Sequence, residues 1–178
     1  MTLTGRKPIV AKGGAKWEEM GFSALSTMFR GATKITLDAK GRLAFPSRYR
    51  ERLAARCEGR LVCTVDPDYC LLIYPLPDWE EIERKLMRLP SLNRKSRRLQ
   101  RLMVGYASEL DLDSHGRILI PRELREFASL DRQAILFGQG NKFELWDEAR
   151  WNERRDSWLA NETDDGIALP AELEQLSL

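Results

Sequence analysis

A nine-residue motif that occurs twice constrains this chain more than any other feature. Asp38-Ala39-Lys40-Gly41-Arg42-Leu43-Ala44-Phe45-Pro46 returns as Asp113-Ser114-His115-Gly116-Arg117-Ile118-Leu119-Ile120-Pro121, at an offset of 75 residues. Arg50 and Arg125 keep that offset, as do Ala32-Thr33 and Ala107-Ser108. Farther along, Ile73-Tyr74 and Trp79 align with Leu145-Trp146 and Trp151 at an offset of 72. The first copy therefore holds three extra residues, placed most simply near Cys57-Glu58-Gly59.

Each copy predicts the same local structure. Ile35 and Leu37 alternate with polar residues, as a half-buried strand requires, and Leu110 and Leu112 repeat the pattern. Ala39-Lys40-Gly41 reads as a turn in which Gly41, like Gly116, is free to take a positive φ. Residues 42–45 read as a second strand. Pro46 suits the first position of a helix, where its missing N–H does no harm. Tyr49 with Leu53, and Leu124 with Ala128, give those helices an inner face.

A hairpin follows in each copy. Residues 61–65 and 70–74 flank Asp66-Pro67-Asp68-Tyr69, and residues 134–137 and 142–146 flank Gly138-Gln139-Gly140-Asn141. Asp78 is the expected cap of a helix that buries Trp79, Ile82 and Leu86 and stops at Pro90. Asp147 is the expected cap of another, which places Trp151 and Trp158 seven residues apart. Between the copies, Leu92, Leu99, Leu102 and Met103 predict an amphipathic helix whose other face holds Arg94, Lys95, Arg97, Arg98 and Arg101. The expected divisions are residues 28–90, 91–160 and an acidic tail at 161–178, where residues 170–176 suit a short helix. Neither copy has enough apolar residues for a core of its own. The two are expected to share one about a pseudo-twofold axis, as a small β-barrel with helices outside.

A net charge of +2 hides an uneven distribution. Residues 28–60 carry nine Lys/Arg against three Asp/Glu, residues 84–101 carry eight bases and no acid, and residues 161–178 carry five acids and no base. This pattern suits an anionic partner such as nucleic acid, or a set of solvated helix faces. No apolar run reaches the length of a membrane span, and the first 27 residues lack the apolar stretch of a secretory signal, so a cytoplasmic location is expected. Cys57, Cys63 and Cys70 are odd in number and form no C-x-x-C pair, which argues against a disulfide framework or a zinc site. Cys63 reads as a small buried apolar residue. No phosphate loop, cofactor motif or paired metal ligands occur. Asp113-Ser114-His115 has the residue types of a catalytic triad, but adjacency is not triad geometry and the first copy has Asp38-Ala39-Lys40 instead.

These residues resemble the MraZ family, part of the wider AbrB-like group. The resemblance rests on residues 28–33, the duplicated D-x-x-G-R motif, Tyr74-Pro75-Leu76-Pro77 with Trp79, and Asn141-Lys142-Phe143-Glu144-Leu145-Trp146. It implies an α+β fold: two tandem AbrB-like β-α-β units sharing a pseudo-twofold double-psi or swapped-hairpin β-barrel with peripheral helices. It also implies a non-enzymatic bacterial regulator without a cofactor. Such a protein binds short G-rich direct repeats in double-stranded DNA upstream of the division and cell-wall gene cluster, and usually represses it. A ring-like homo-oligomer in the nucleoid is implied as well. Members usually begin at the position of Met28, so residues 1–27 are expected to be a disordered extension, or to follow an upstream start codon.

In that setting Arg42, beside a tight turn, is the expected reader of a guanine O6 and N7, with Arg117 its counterpart. Lys40 and Arg30 are better placed as phosphate contacts. Asp38, Gly41, Asp113 and Gly116 are expected to shape the turns. An ion pair bracing the turn is the alternative role for Asp38–Arg42 and Asp113–Arg117, and the two roles coexist if the aspartate orients the arginine. Arg50 and Arg125 suggest helix-to-sheet ion pairs. Residues 103–130 hold three arginines against five acids and His115 replaces Lys40, so the first copy should dominate DNA contact. The basic helix at 94–101 reads as a solvated face, outside the hairpins. A competing reading is an antitoxin-type protein-binding module whose acidic tail wraps a partner, although such modules normally carry one unit and dimerise.

Overall fold

The computed structural model describes residues 28–90 and 92–160. The expected disorder of residues 1–27 and the short helix of the acidic tail lie outside the described residues. Eight strands and five helices follow in order: β1 (Phe29–Thr36), β2 (Arg42–Ala44), α1 (Ser47–Cys57), β3 (Arg60–Val65), β4 (Leu71–Pro75), α2 (Leu76–Met87), α3 (Arg94–Met103), β5 (Ser108–Asp111), β6 (Arg117–Leu119), α4 (Arg122–Phe127), β7 (Gln133–Gly140), β8 (Lys142–Asp147) and α5 (Glu148–Ala160).

The strands interleave the two copies. β1 of the first copy pairs with β7 of the second, with Ile35 opposite Ala134. β5 of the second pairs with β3 of the first, with Leu110 opposite Leu61. The registers carry a pseudo-twofold axis. In the β2–β6 ladder Arg42 faces Leu119 and Ala44 faces Arg117, and the 75-residue offset turns each pair into the other. In the β4–β8 ladder Leu71 faces Leu145 and Ile73 faces Phe143, and the 72-residue offset does the same.

All pairings are antiparallel, in a six-stranded sheet ordered β1-β7-β8-β4-β3-β5 and a separate β2–β6 ribbon. The barrel expected from the sequence is not closed by these ladders: among the described residues, β1 and β5 are the edges of the larger sheet. The ribbon strands are three residues long, and Pro46 and Pro121 lie just beyond them, without an N–H to extend a ladder.

The three extra residues of the first copy lie in two places. Leu37 N–H donates to the Arg132 carbonyl and Leu112 N–H to the Gly59 carbonyl, which equates Gly59 with Arg132 at an offset of 73. Two extra residues are thus absorbed before β3, where α1 has 11 residues and α4 has six. The third is in the hairpin: Pro67-Asp68-Tyr69 turns the first, whereas Gly140-Asn141 suffices between Gln139 and Lys142. Gly138 is not in that turn. It lies within β7 opposite Gly31, where a β-carbon would fall 2.6 Å from the Arg30 nitrogen. Glycine inside a strand marks such close backbone approach.

One core serves both copies. Leu43, Phe45, Tyr49 and Leu53 of the first pack in the same cluster as Ile118, Ile120, Leu124 and Phe143 of the second. Phe143 touches three rings of the other copy: Phe29 at 4.2 Å, Tyr49 at 4.9 Å and Phe45 at 5.1 Å between centroids. β4 is buried along its whole length because both its faces are covered. Leu71 and Ile73 point into this core, while Leu72 and Tyr74 join a second cluster with Trp79, Leu86 and Trp146.

The helices follow the sequence pattern with four corrections, one of which is Leu92, expected on the apolar face of α3 but placed before the helix and exposed. Pro46 and Pro121 occupy the cap position, one residue before the helix. Asp78 caps nothing, because α2 starts at Leu76, and its carboxylate instead pairs with Arg56 at 2.6 Å. Trp79 and Leu86 are buried and Ile82 only partly. Asp147 does receive the N–H groups of Ala149 and Arg150, at 3.0 and 3.2 Å. Trp158 of α5 keeps much of its surface exposed. The three cysteines are free and buried, and burial pushes the Cys63 and Cys70 thiols up. No described helix is long and apolar enough to cross a membrane.

Candidate nucleic-acid interface

The two D-x-x-G-R motifs form the same turn. Asp38 N–H donates to the Arg42 carbonyl at 2.9 Å, and Gly41 N–H to the Asp38 carbonyl at 2.8 Å. The Asp38 carboxylate accepts the N–H groups of Lys40 and Arg42, at 2.9 and 3.0 Å, and Nε of Arg42 at 2.7 Å. In the second copy Asp113 accepts from the N–H groups of His115 and Arg117, at 2.8 and 2.9 Å, and from Arg117 Nε at 2.8 Å. A carboxylate is needed because it can accept all three donors at once.

This donor set governs the acid. The Arg42 backbone N–H, then the Arg42 side chain and the Lys40 N–H, hold Asp38 at about 2 against an ordinary 3.8, with partial desolvation opposing them. Arg117 and His115 do the same for Asp113, also at about 2. Both carboxylates are charged near neutral pH, so each arginine is held by a full negative charge. The expected ion pair is therefore present in both turns, and it aims the arginine. The side chains of Arg42 and Arg117 remain 35% and 34% exposed, enough to offer a guanidinium edge to solvent.

Sequence reasoning missed what fixes the turns in place. Among the described residues, Arg50 and Arg125 make no helix-to-sheet ion pair. Arg50 Nε donates to the Phe45 carbonyl at 2.7 Å, and Arg125 Nε to the Ile120 carbonyl at 3.1 Å. Each side chain lies against the glycine of the other copy. A β-carbon on Gly41 would sit 2.5 Å from Arg125 Nε, and one on Gly116 would sit 2.3 Å from Arg50 Nε. The glycines adopt φ of +82° and +73°, so both backbone conformation and close packing require them. Gly41 and Gly116 carbonyls also accept the N–H groups of Ile120 and Phe45. Each turn is thus braced by the strand and helix of the opposite copy. The constant offset of Arg50/Arg125 and Gly41/Gly116 was a signal of this pairing.

Antiparallel pairing of β2 with β6 sets the two turns at opposite ends of one short ribbon. Lys40 is exposed beside Arg42 and, among the described residues, makes no ion pair. Arg30 is not brought to this cluster. It stands near the start of β1, eight residues from Asp38, up to about 26 Å of extended strand at roughly 3.3 Å per residue. There its carbonyl accepts the Tyr49 hydroxyl at 2.6 Å. Asp113-Ser114-His115 is part of the turn: the carboxylate holds the His115 backbone N–H, and Ser114 Oγ lies 3.3 Å from His115 Nδ1. Among the described residues no cluster of three or more His, Cys, Asp or Glu could hold a metal.

The MraZ protein family model, whose description also carries the words antitoxin-like, matches residues 28–102 and 103–164, one match per copy. A protein of Halorhodospira halophila named transcriptional regulator MraZ is 55% identical over 152 residues, 85% of this chain and all of the relative. A protein of the same name from Thioalkalivibrio sulfidiphilus is 58% identical over 151 residues, again 85% of this chain and all of the relative. One from Pseudomonas aeruginosa is 57% identical over 152 residues, with the same coverage.

Proposed function

The chain belongs to the MraZ family, and on that footing we propose that it regulates transcription by binding DNA through its two D-x-x-G-R turns. The family is one of transcriptional regulators and not of enzymes. One observation carries the reading: two superposable turns, each with an arginine held by its aspartate at 2.7 to 2.8 Å and partly exposed, at the two ends of a single ribbon.

A guanidinium has five N–H donors in a rigid fork. Asp38 takes the Nε donor of Arg42 and orients the fork. The remaining donors suit O6 and N7 of a guanine in the major groove, a pairing worth about 1–3 kcal/mol of discrimination. Arg117 does the same from the second turn. Lys40, exposed beside Arg42, contacts phosphate, and so does Arg30 farther along β1; such contacts position the protein without reading bases. Asp38, Gly41, Asp113 and Gly116 shape the turns. The first copy dominates contact, because His115 stands where the first copy has Lys40.

The sites are short G-rich direct repeats upstream of the division and cell-wall gene cluster, and binding represses it. The protein works in the cytoplasm, associated with the nucleoid, as a ring-like homo-oligomer whose subunits meet successive repeats, so weak single contacts add to tight binding. Exchange of first strands between the copies supports a swapped-hairpin reading of the fold, with units at 28–90 and 91–160 and an acidic tail after them.

A mobility-shift titration on the DNA upstream of the chain's own gene tests this reading, with light scattering for subunit number. Tight binding is expected only when several repeats are present, falling steeply with salt. Equal binding to a scrambled duplex would remove the sequence-specific role. Capture of a stoichiometric protein partner with no DNA retained would replace the reading by an antitoxin-type one.

A further inference from the structure

Helix α3 carries Arg94, Lys95, Arg97, Arg98 and Arg101 and no acid. Local physics opposes that composition. Arg94 and Lys95 stand in the first turn, at the positive end of the helix dipole, where carboxylates are favoured. Arg94 with Arg98, and Arg97 with Arg101, are four residues apart, so like charges are stacked on one face. None of the helix is fully buried. It is held by the Asn93 cap, by Leu99, Leu102 and Met103 packing on the cores, by the Thr64 hydroxyl donating to the Met103 carbonyl at 2.6 Å, and by the Gln100 amide on the Leu86 carbonyl at 2.8 Å.

Several surface cations elsewhere are answered by acids: Arg117 by Asp113, Arg122 by Glu126, Arg154 by Asp68 and Lys34 by Glu148. Among the described residues, Arg94, Lys95, Arg98 and Arg101 make no ion pair. With Arg97 and Leu102 they line one shallow groove. A helix that keeps Arg94 and Lys95 against its own dipole, with like charges stacked behind them, breaks a local rule with no ion pair among the described residues to offset it. Among the described residues no acid pairs with Arg94, Lys95, Arg98 or Arg101, which leaves their charge available to an anionic partner.

We propose that α3 is a second phosphate-contact surface, which binds the backbone of the duplex next to the stretch met by the turns. This rests on the DNA-binding reading above. From Arg94 to Arg101 the cations span about 10 Å at about 1.5 Å per residue, the axial length of about three phosphates of one strand. Met103 and Asp113 are ten residues apart through β5, at most about 33 Å at roughly 3.3 Å per residue. That bound is within one duplex turn of about 34–36 Å, so the separation of the helix from the Arg117 turn does not exceed what one DNA segment offers.

The test is the variant R94Q/K95Q/R98Q/R101Q, in the full chain, against wild type. Glutamine keeps the helix propensity and relieves the like-charge stacking, so thermal unfolding should be unchanged or shifted upward. Affinity is measured against salt on the upstream repeat duplex and on a scrambled duplex of equal length. The slope of log K against log salt should fall by about 0.9 for each lost phosphate contact, up to roughly 3–4 per engaged subunit. Both duplexes should weaken in parallel, leaving their affinity ratio unchanged. An unchanged slope overturns the inference while leaving the turns as readers. So does an unchanged slope accompanied by carbodiimide cross-linking of Lys95 to the acids of residues 162–174, which would make the acidic tail the occupant. Failure of the wild type to bind either duplex would instead sink the DNA-binding reading itself.

Discussion

Replacing Gly41 with alanine isolates the packing that ties each turn to the other copy. The backbone there has φ of +82°, where a β-carbon costs about 1–2 kcal/mol. The new methyl would also lie 2.5 Å from Arg125 Nε and 2.6 Å from its Cζ. Arg125 must then leave the glycine and its 3.1 Å bond to the Ile120 carbonyl, about 1 kcal/mol more. The sum is about 2–3 kcal/mol, or roughly 6–9 °C of Tm at about 3 °C per kcal/mol for a chain of this size. Gly140 is the control: its φ is +71°, yet nothing lies within 4 Å of an added β-carbon. Gly140→Ala should cost the backbone term alone, about 1–2 kcal/mol. In an Arg125→Ala background the carbonyl bond is already absent, so Gly41→Ala should cost about 1 kcal/mol less than in wild type. Thermal or urea unfolding at fixed protomer concentration measures wild type, the three single variants and the double variant. The reasoning is refuted if Gly41→Ala costs no more than Gly140→Ala, or if its cost is the same with and without Arg125.

Two further expectations concern the supports of the site. Asp38 and Asp113 have carboxyls depressed in the fold, so the stability they contribute is present above the ordinary carboxylate range and is lost as pH falls from about 4 towards 2. In an Asp38→Asn/Asp113→Asn protein, acid unfolding followed by circular dichroism should lose that part of its pH dependence; an unaltered acid profile would show that the carboxylates do not hold the turns. Tyr49 is buried, donates to the Arg30 carbonyl at 2.6 Å and receives Arg48 at 2.8 Å, so Tyr49→Phe should cost about 1–2 kcal/mol in urea unfolding. A cost near zero would mean that water replaces the hydroxyl.

Legibility in the sequence followed range along the chain. Both turns, both hairpins and the shared core were readable because strand alternation, turn glycines and the repeat offset are local patterns. Asp78 was misread for a local reason too: Pro75-Leu76-Pro77 starts the helix three residues early, which leaves the carboxylate inside the first turn, facing Arg56. Arg50 and Arg125 were misread because their partners belong to the opposite copy, and crossing contacts have no local signature. Gly138 was drawn into a turn by its neighbours Gly140 and Asn141, whereas its role is set by β1 passing close beside it. The sequence predicted a barrel from the need to share a core. The core is shared, but three-residue strands ending at prolines leave the ribbon separate from the larger sheet.

The most direct test of the central claim pairs a change in protein with a change in DNA. Repeat duplexes in which each guanine in turn is replaced by 7-deazaguanine lose the N7 acceptor and keep O6. With wild-type protein, at least one position should weaken binding on the order of fivefold to tenfold, about 1 kcal/mol or slightly more. With Arg42→Ala that position should have no further effect, since its reader is gone. An equal loss in both proteins, or no sensitive guanine together with a uniform loss for Arg42→Ala on all sequences, would make Arg42 a phosphate contact and contradict the account.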